Sequence, residues 1–176
     1  MSQQNIPATV TTAAAHIRLL VLDVDGVMTD GGLNYGPDGT ESKTFHVRDG
    51  LGIKLARRAG IEVAVISGRG GDAVERRMKE LGIRHVRLNR EDKQAALAEI
   101  TEELKIGLNA VACVGDDTPD LQIIEPCALG IAVADAHHAV RLAADWSTTL
   151  PGGRGAVREV CDMLVEARSI AGAGAG

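Results

Sequence analysis

Short apolar runs rich in Val, Ile and Leu alternate with segments of helical spacing along most of the chain, and this alternation limits the fold more than any other feature. Runs at Arg18 to Leu22, Ile61 to Ile66, His85 to Leu88, Ala110 to Val114 and Leu129 to Val133 read as strands, with a weaker one at Ala144 to Ser147. Between them, Leu51 to Ala59, Asp72 to Leu81, Glu91 to Leu104, Pro119 to Ile124 and Ala136 to Leu142 read as helices, with Gly60 and Gly82 placed to end two of them. Hydrophobic residues make up 45% of the sequence but aromatics only 2%, so the core has to be aliphatic, which suits strands buried on both faces. The class is α/β: a three-layer, doubly wound, mostly parallel sheet with right-handed crossovers.

At 176 residues the chain is the size of one domain, expected over residues 17–168. Residues 1–16 and the Gly- and Ala-rich residues 169–176 are expected to be flexible. Residues 29–49 break the alternation, reading as two extended runs around Gly36-Pro37-Asp38-Gly39, a β-hairpin inserted after the first strand. An isolated two-stranded ribbon is marginal in water, so this one should pack against something, most simply a second copy of the chain. The net charge of -5, with no Lys/Arg block, speaks against nucleic acid or an anionic membrane as partner. Cys113, Cys127 and Cys161 are scattered, without ligand spacing or a CxxC pair, and read as reduced thiols in a reducing compartment. The first residues lack the pattern of a secretory signal, and the expected location is cytoplasmic.

In doubly wound folds ligands bind beyond the carboxyl ends of the strands, where loops and helix N-termini present unpaired N–H groups. Four polar clusters fall there: Asp23-Val24-Asp25-Gly26 after the first strand, Ser67-Gly68-Arg69 after the second, Lys93 after the third, and Gly115-Asp116-Asp117 after the fourth. Taken singly, each has an ordinary explanation. Asp ends strands as a turn former, Asp116, Asp117 and Asp120 can cap the helix near Pro119, Ser67 suits a Gly-rich turn, and a lone Lys is commonly a solvated one. Together they are harder to dismiss. Like-charged carboxylates ~4 Å apart repel by about 4 kcal/mol per pair at an effective dielectric near 20. A divalent cation removes that cost, and an oxygen-only donor set favours Mg²⁺ over zinc. Lys93, near a helix N-terminus where cations are disfavoured, suggests an anion close by.

The ordered set DVDGVMTDG at 23–31, SGR at 67–69, Lys93 and GDDTPD at 115–120 resembles the haloacid-dehalogenase superfamily of phosphotransferases, over roughly residues 18–168. The resemblance implies a Rossmann-like fold, with Asp23 as nucleophile and Asp25 as general acid and then general base. Ser67 and Lys93 would bind the phosphoryl group, and Mg²⁺ would be held by Asp23, the main-chain carbonyl of Asp25 and Asp116. Asp117 and Asp120 would serve behind these or as caps. Only the short hairpin and a tight 67–93 interval are present where relatives insert cap domains, so the chain looks capless.

FHVRDG at 45–50, ADAH at 134–137 and GGRGAVREVCDML at 152–164 are similar to the branch that hydrolyses 3-deoxy-D-manno-octulosonate 8-phosphate in lipopolysaccharide precursor synthesis. That likeness implies a small sugar-acid phosphate as substrate and a homotetramer whose hairpins pack together. It also implies substrate contacts from Asp25, His46, Val47, Arg48, Asp49, Gly50, Lys54, Arg69, Arg77 and Lys93. Arg offers a bidentate fork for carboxylate or phosphate; Arg69 and Arg77 would share a side if the intervening segment were helical, and Arg154 could reach a neighbouring site. Ser67 stands where many relatives have Thr, and His46 where some have Asn. The related acylneuraminate 9-phosphate phosphatases are the nearest alternative. Of other classes, a phospho-receiver domain would carry its acceptor Asp after the third strand, not the first, and a non-catalytic assembly module would not need both Asp23 and Asp25.

Overall fold

The computed structural model describes residues 6–173. Its centre is a six-stranded, wholly parallel sheet formed by β1 (Leu19–Leu22), β4 (Glu62–Ile66), β5 (His85–Arg87), β6 (Val111–Gly115), β7 (Leu129–Ala132) and β8 (Trp146–Ser147), in the order β5-β4-β1-β6-β7-β8. Leu19, Leu20, Val21 and Leu22 of β1 are fully buried, as are Val65 and Ile66 of β4 and Val111 to Val114 of β6. Burying each such Val, Leu or Ile contributes about 1.5–3 kcal/mol, so the frame stands without help from the loops. The chain runs from β1 outward through β4 and β5, then returns beside β1 and continues through β6, β7 and β8. Strand order therefore reverses between β1 and β6, and the loops leaving these two strands diverge into a crevice suited to a ligand.

Helices α1 (Ala8–Ala15), α2 (Val47–Arg58) and α7 (Ala156–Ala173) pack on one another, with α3 (Asp72–Leu81) beside α2. Helices α4 (Lys93–Leu104), α5 (Leu121–Ile124) and α6 (His138–Ala143) form a second group. Three expectations need correction. Much of the segment expected to be flexible at the N-terminus is helix α1, whose Val10 and Ala14 are buried. The tail from residue 169 continues α7 to Ala173; residues 1–5 and 174–176 lie outside the described residues. Both segments are Ala-rich, and Ala, which signals little by pattern, is the strongest helix former. The hairpin is also shorter than 29–49. Its strands are β2 (Asn34–Tyr35) and β3 (Glu41–Ser42), paired antiparallel. Val47 to Gly50 instead open α2, capped by His46, whose Nδ1 accepts a hydrogen bond from the Arg48 N–H at 3.3 Å. Gly52 lies within the helix expected over Leu51 to Ala59; α2 begins earlier, at Val47, and its packing on α7 outweighs the low helix propensity of Gly50 and Gly52. Cys113 and Cys127, far apart in sequence, bring their Sγ atoms to 2.9 Å.

Candidate active site

Asp23 and Asp116 follow adjacent strands, β1 and β6, at the carboxyl end of the sheet, where Leu22 pairs with Val114. Two close approaches shape the loops that carry them. Gly26 has φ +90, and a Cβ there would meet Asp116 Oδ2 at 2.1 Å, so only glycine lets the loop after β1 pass the carboxylate of the neighbouring strand. From the far side, the Pro151–Gly155 segment straps this loop down. A Cβ on Gly152 would strike the Gly26 carbonyl oxygen at 1.7 Å, the Gly153 N–H donates to Val27 O at 2.9 Å, and the Gly152 N–H donates to Asp135 Oδ1 at 2.9 Å. Arg154, considered above for a neighbouring site, pairs with Asp30 of its own chain at 3.0 Å.

Lys93 stands at the first turn of α4, buried, and its Nζ donates to Asp23 Oδ1 at 2.7 Å and to Asp120 Oδ1 at 2.6 Å. Asp120 has a larger part than a cap. Its Oδ2 accepts from the Asp116 and Asp117 N–H groups at 2.9 and 3.2 Å, while its other oxygen completes the pairing with Lys93. Its sequence signal, an Asp in a helical first turn, is indistinguishable from capping alone. Asp117 is a cap, accepting from Thr118 N–H at 2.7 Å. Burial, and next the charge of Asp120, push the Asp23 carboxyl up to about 7 against the pull of Lys93. Asp116 rises to about 8 by burial, then by the charges of Asp120, Asp23 and Asp117. Burial alone would lower the Lys93 ammonium, but Asp23 and Asp120 outweigh it and raise it.

Oxygens of Asp23, Asp116 and Asp120 lie within 4.8 Å of one another. Three carboxylates against the single Lys93 ammonium leave an excess of two negative charges. An all-oxygen donor set with that excess fits a hard dication such as Mg²⁺, which binds oxygens at about 2.1 Å. A pH dependence follows. Below the ordinary carboxylate range both carboxyls are protonated whether the chain is folded or not. As pH rises from about 4 to 8 the unfolded chain ionises freely and the folded one resists, so metal-free stability falls, with the loss complete above pH 8. Mg²⁺ should therefore raise the midpoint of thermal unfolding more at pH 8.5 than at pH 5. At a hundredfold excess over its dissociation constant the gain is about 2.7 kcal/mol, or about 5–10 °C for a chain of this size. Equal shifts at both pH values in a scanning fluorimetry series would contradict the charge assignment.

The remaining candidates divide. Asp25 is half-buried; Lys43 Nζ donates to its Oδ1 at 2.5 Å, and Arg69 Nε lies 3.7 Å from its Oδ2. Lys43 was not foreseen, its only sequence signal being that it shares a face of the hairpin with Glu41. Ser67 is buried, with its Oγ accepting from the Arg69 N–H at 3.2 Å. Arg69 lies in the loop before α3, not on a helix shared with Arg77. Its guanidinium pairs with Glu41 at 2.8 Å. Arg77 instead packs over Phe45, 5.8 Å from the ring centroid, in the space left by Gly50. Asp49 is turned away from solvent, with Oδ1 accepting from Arg158 N–H of α7 at 2.8 Å. Val47, Arg48 and Lys54 lie on exposed positions of α2. A cleft of about 570 Å³ is lined by Gly68, Arg90, Lys93 and Gln122, and so shares with the acidic cluster the lysine that pairs with Asp23 and Asp120.

The profile of the haloacid dehalogenase-like hydrolases matches residues 86–157. The chain is 47% identical to 3-deoxy-D-manno-octulosonate 8-phosphate phosphatase KdsC of Escherichia coli (strain K12) over 163 residues, covering 93% of this chain and 87% of that one. Among solved structures it is similar to the 3-deoxy-D-manno-octulosonate 8-phosphate phosphatase of Moraxella catarrhalis in complex with magnesium ion, phosphate ion and KDO, with TM-score 0.89, 42% identity, and 94% and 95% of the two chains covered. It is also similar to the cobalt-bound deoxy-D-mannose-octulosonate 8-phosphate phosphatase of Haemophilus influenzae, with TM-score 0.87, 40% identity, and 89% and 92% covered.

Proposed function

Because the chain belongs to the haloacid dehalogenase-like hydrolases, we propose that it hydrolyses 3-deoxy-D-manno-octulosonate 8-phosphate to the free sugar acid and phosphate, a step in building lipopolysaccharide precursors. The observation that carries the chemistry is the buried cluster of Asp23, Asp116 and Asp120 around Lys93, with Asp25 two residues beyond Asp23. The substrate class rests on the relatives.

The carboxylate of Asp23 attacks phosphorus in line while Asp25 protonates the departing sugar oxygen, so one difficult hydrolysis becomes two displacements. Asp25, now ionised, then takes a proton from the water that attacks the aspartyl phosphate. Lys93 places its ammonium beside the reacting oxygen, and the Ser67 hydroxyl with the neighbouring loop N–H groups receives phosphoryl oxygens. Mg²⁺, held by the carboxylates of Asp23 and Asp116 and the main-chain carbonyl of Asp25, supplies positive charge that offsets carboxylate repulsion and developing phosphoryl charge.

Substrate selection is assigned to His46, Val47, Arg48, Lys54, Arg69 and Arg77, while Asp49, held by the Arg158 N–H, and Gly50, which makes room for Arg77, shape α2. Several of the selecting residues lie on the outer face of α2 with Val47 and Leu51, and Leu33 and Tyr35 stand at the hairpin; all four apolar side chains are exposed. Covering these side chains with further copies would give the homotetramer and bring the α2 residues to a neighbouring subunit's site. The three free cysteines fit a cytoplasmic location, and no helix among the described residues is long and apolar enough to cross a membrane.

A phosphate-release panel with Mg²⁺ tests the assignment. The eight-carbon keto-sugar acid phosphate should be hydrolysed at least about tenfold more efficiently than the nine-carbon acylneuraminate 9-phosphate or hexose phosphates, a margin of about 1.4 kcal/mol. Preference for the nine-carbon ester would reassign the substrate, and release from none would return the chain to a binding or assembly role. Sedimentation of the same preparation as a monomer would remove the tetramer.

A further inference from the structure

The hairpin brings a buried cation to the acid/base residue. Lys43 follows β3, and its side chain is only 2% exposed. Strand alternation puts Glu41 and Lys43 on one face of the hairpin, and that face meets the loop after β1. Lys43 Nζ lies 2.5 Å from Asp25 Oδ1 and 2.8 Å from Glu41 Oε1, while Arg69 binds the other oxygen of Glu41 at 2.8 Å. Lys43, Arg69, Glu41 and Asp25 form a quartet linking the hairpin, the catalytic loop and the loop before α3, neutral when Asp25 is ionised and carrying one positive charge when Asp25 holds the proton it gives.

The two oxygens of Asp25 are treated differently. Oδ1 is held by Lys43, whereas Oδ2 is buried and has no hydrogen-bond partner among the described residues. Arg69 Nε, 3.7 Å away, is beyond hydrogen-bonding range. Among the described residues Glu41 Oε1 is likewise buried without a hydrogen bond, and Asp25 is held through Oδ1 alone. We infer that Lys43 is a positioning residue for Asp25, holding the carboxyl group through Oδ1 and so setting its distance and angle to the oxygen that leaves phosphorus. This rests on the assignment of Asp25 as acid and base made above. As the bond from Asp23 to phosphorus forms and the ester P–O bond breaks, the proton on the Asp25 carboxyl group passes to the departing oxygen; in the second displacement the attacking water returns a proton to it. Lys43 keeps its own protons throughout. It acts by geometry, having both carboxylate partners already, and contributes no contact to the phosphoryl group.

The test compares Lys43→Met and Lys43→Arg with the intact protein, in Mg²⁺, on two esters. The keto-sugar acid phosphate leaves as an alkoxide and needs protonation; p-nitrophenyl phosphate leaves as a stable phenolate and does not. For Lys43→Met, kcat/KM on the sugar ester should fall about a hundredfold, the range lost when a general acid is displaced by about 1 Å. On the nitrophenyl ester it should fall less than about fivefold, with KM for the sugar ester within about threefold of wild type and about a tenfold recovery in Lys43→Arg. Equal losses on both esters would mark a structural role and overturn the inference. A raised KM at unchanged kcat would mark a substrate ligand and overturn it likewise, as would wild-type kinetics in Lys43→Met. Failure of the wild type to release phosphate from either ester is a separate result, which removes the proposed function and this role with it.

Discussion

Replacing Asp23 by Asn is expected to abolish phosphate release, lowering turnover by at least about ten-thousandfold, because an amide of the same shape cannot become the acyl phosphate through which both displacements run. The fold should survive the change. Asp23 is a buried acid whose carboxyl is pushed to about 7 by burial and by Asp120, so above that pH its charge is a cost to the folded state; without it, Lys93 still pairs with Asp120 at 2.6 Å. Thermal unfolding of Asp23→Asn in the absence of metal should therefore occur at or above the wild-type midpoint at pH 8. Wild-type hydrolysis by a folded Asp23→Asn protein would sink the assignment of the nucleophile.

Lys93→Met should behave in the opposite sense. It deletes the one cation paired with Asp23 and Asp120 and leaves those carboxylates facing each other in a buried site. Removing one side of a buried ion pair costs about 3–5 kcal/mol, which for a chain of this length lowers the unfolding midpoint by about 10 °C. Turnover should fall about a thousandfold, since one preorganised cation at developing phosphoryl charge is worth about 10²–10³. Added Mg²⁺ should recover part of the stability and little of the rate. The ordering is the check: a Lys93→Met protein as stable in metal-free buffer as Asp23→Asn would show that the ammonium is not what makes the acidic cluster tolerable.

The sheet was legible because its strands are continuous aliphatic runs bounded by polar turns, a pattern with little ambiguity; β1, β4 and β6 lie within a residue of their expected limits at each end. The acidic side chains at the carboxyl ends of β1 and β6 were legible for a related reason, since a parallel sheet fixes where strand ends go. What escaped notice lacked a local signal. Helix α1 is held by α7 rather than by a strong pattern of its own. The start of α2 was hidden because residues 47–49 read as the end of the hairpin. Lys43 reaches Asp25 only because the hairpin folds back over the loop after β1, a contact that neither stretch specifies alone. The two uses of Asp120 share one sequence signature. For Arg69 and Arg77 a shared side depended on the intervening residues being helical; these begin as a loop, and the two side chains have different partners.

The glycine strap has a bearing on how the molecule is made. Asp23 follows the first strand of the sheet, yet the loop that carries it leans on Gly152 and Gly153, which are made after all six of the sheet's strands. A nascent chain can assemble most of its framework while the nucleophile's loop still lacks its rear support. Catalytic competence would then wait until Gly152 and Gly153 have been made and have docked behind that loop.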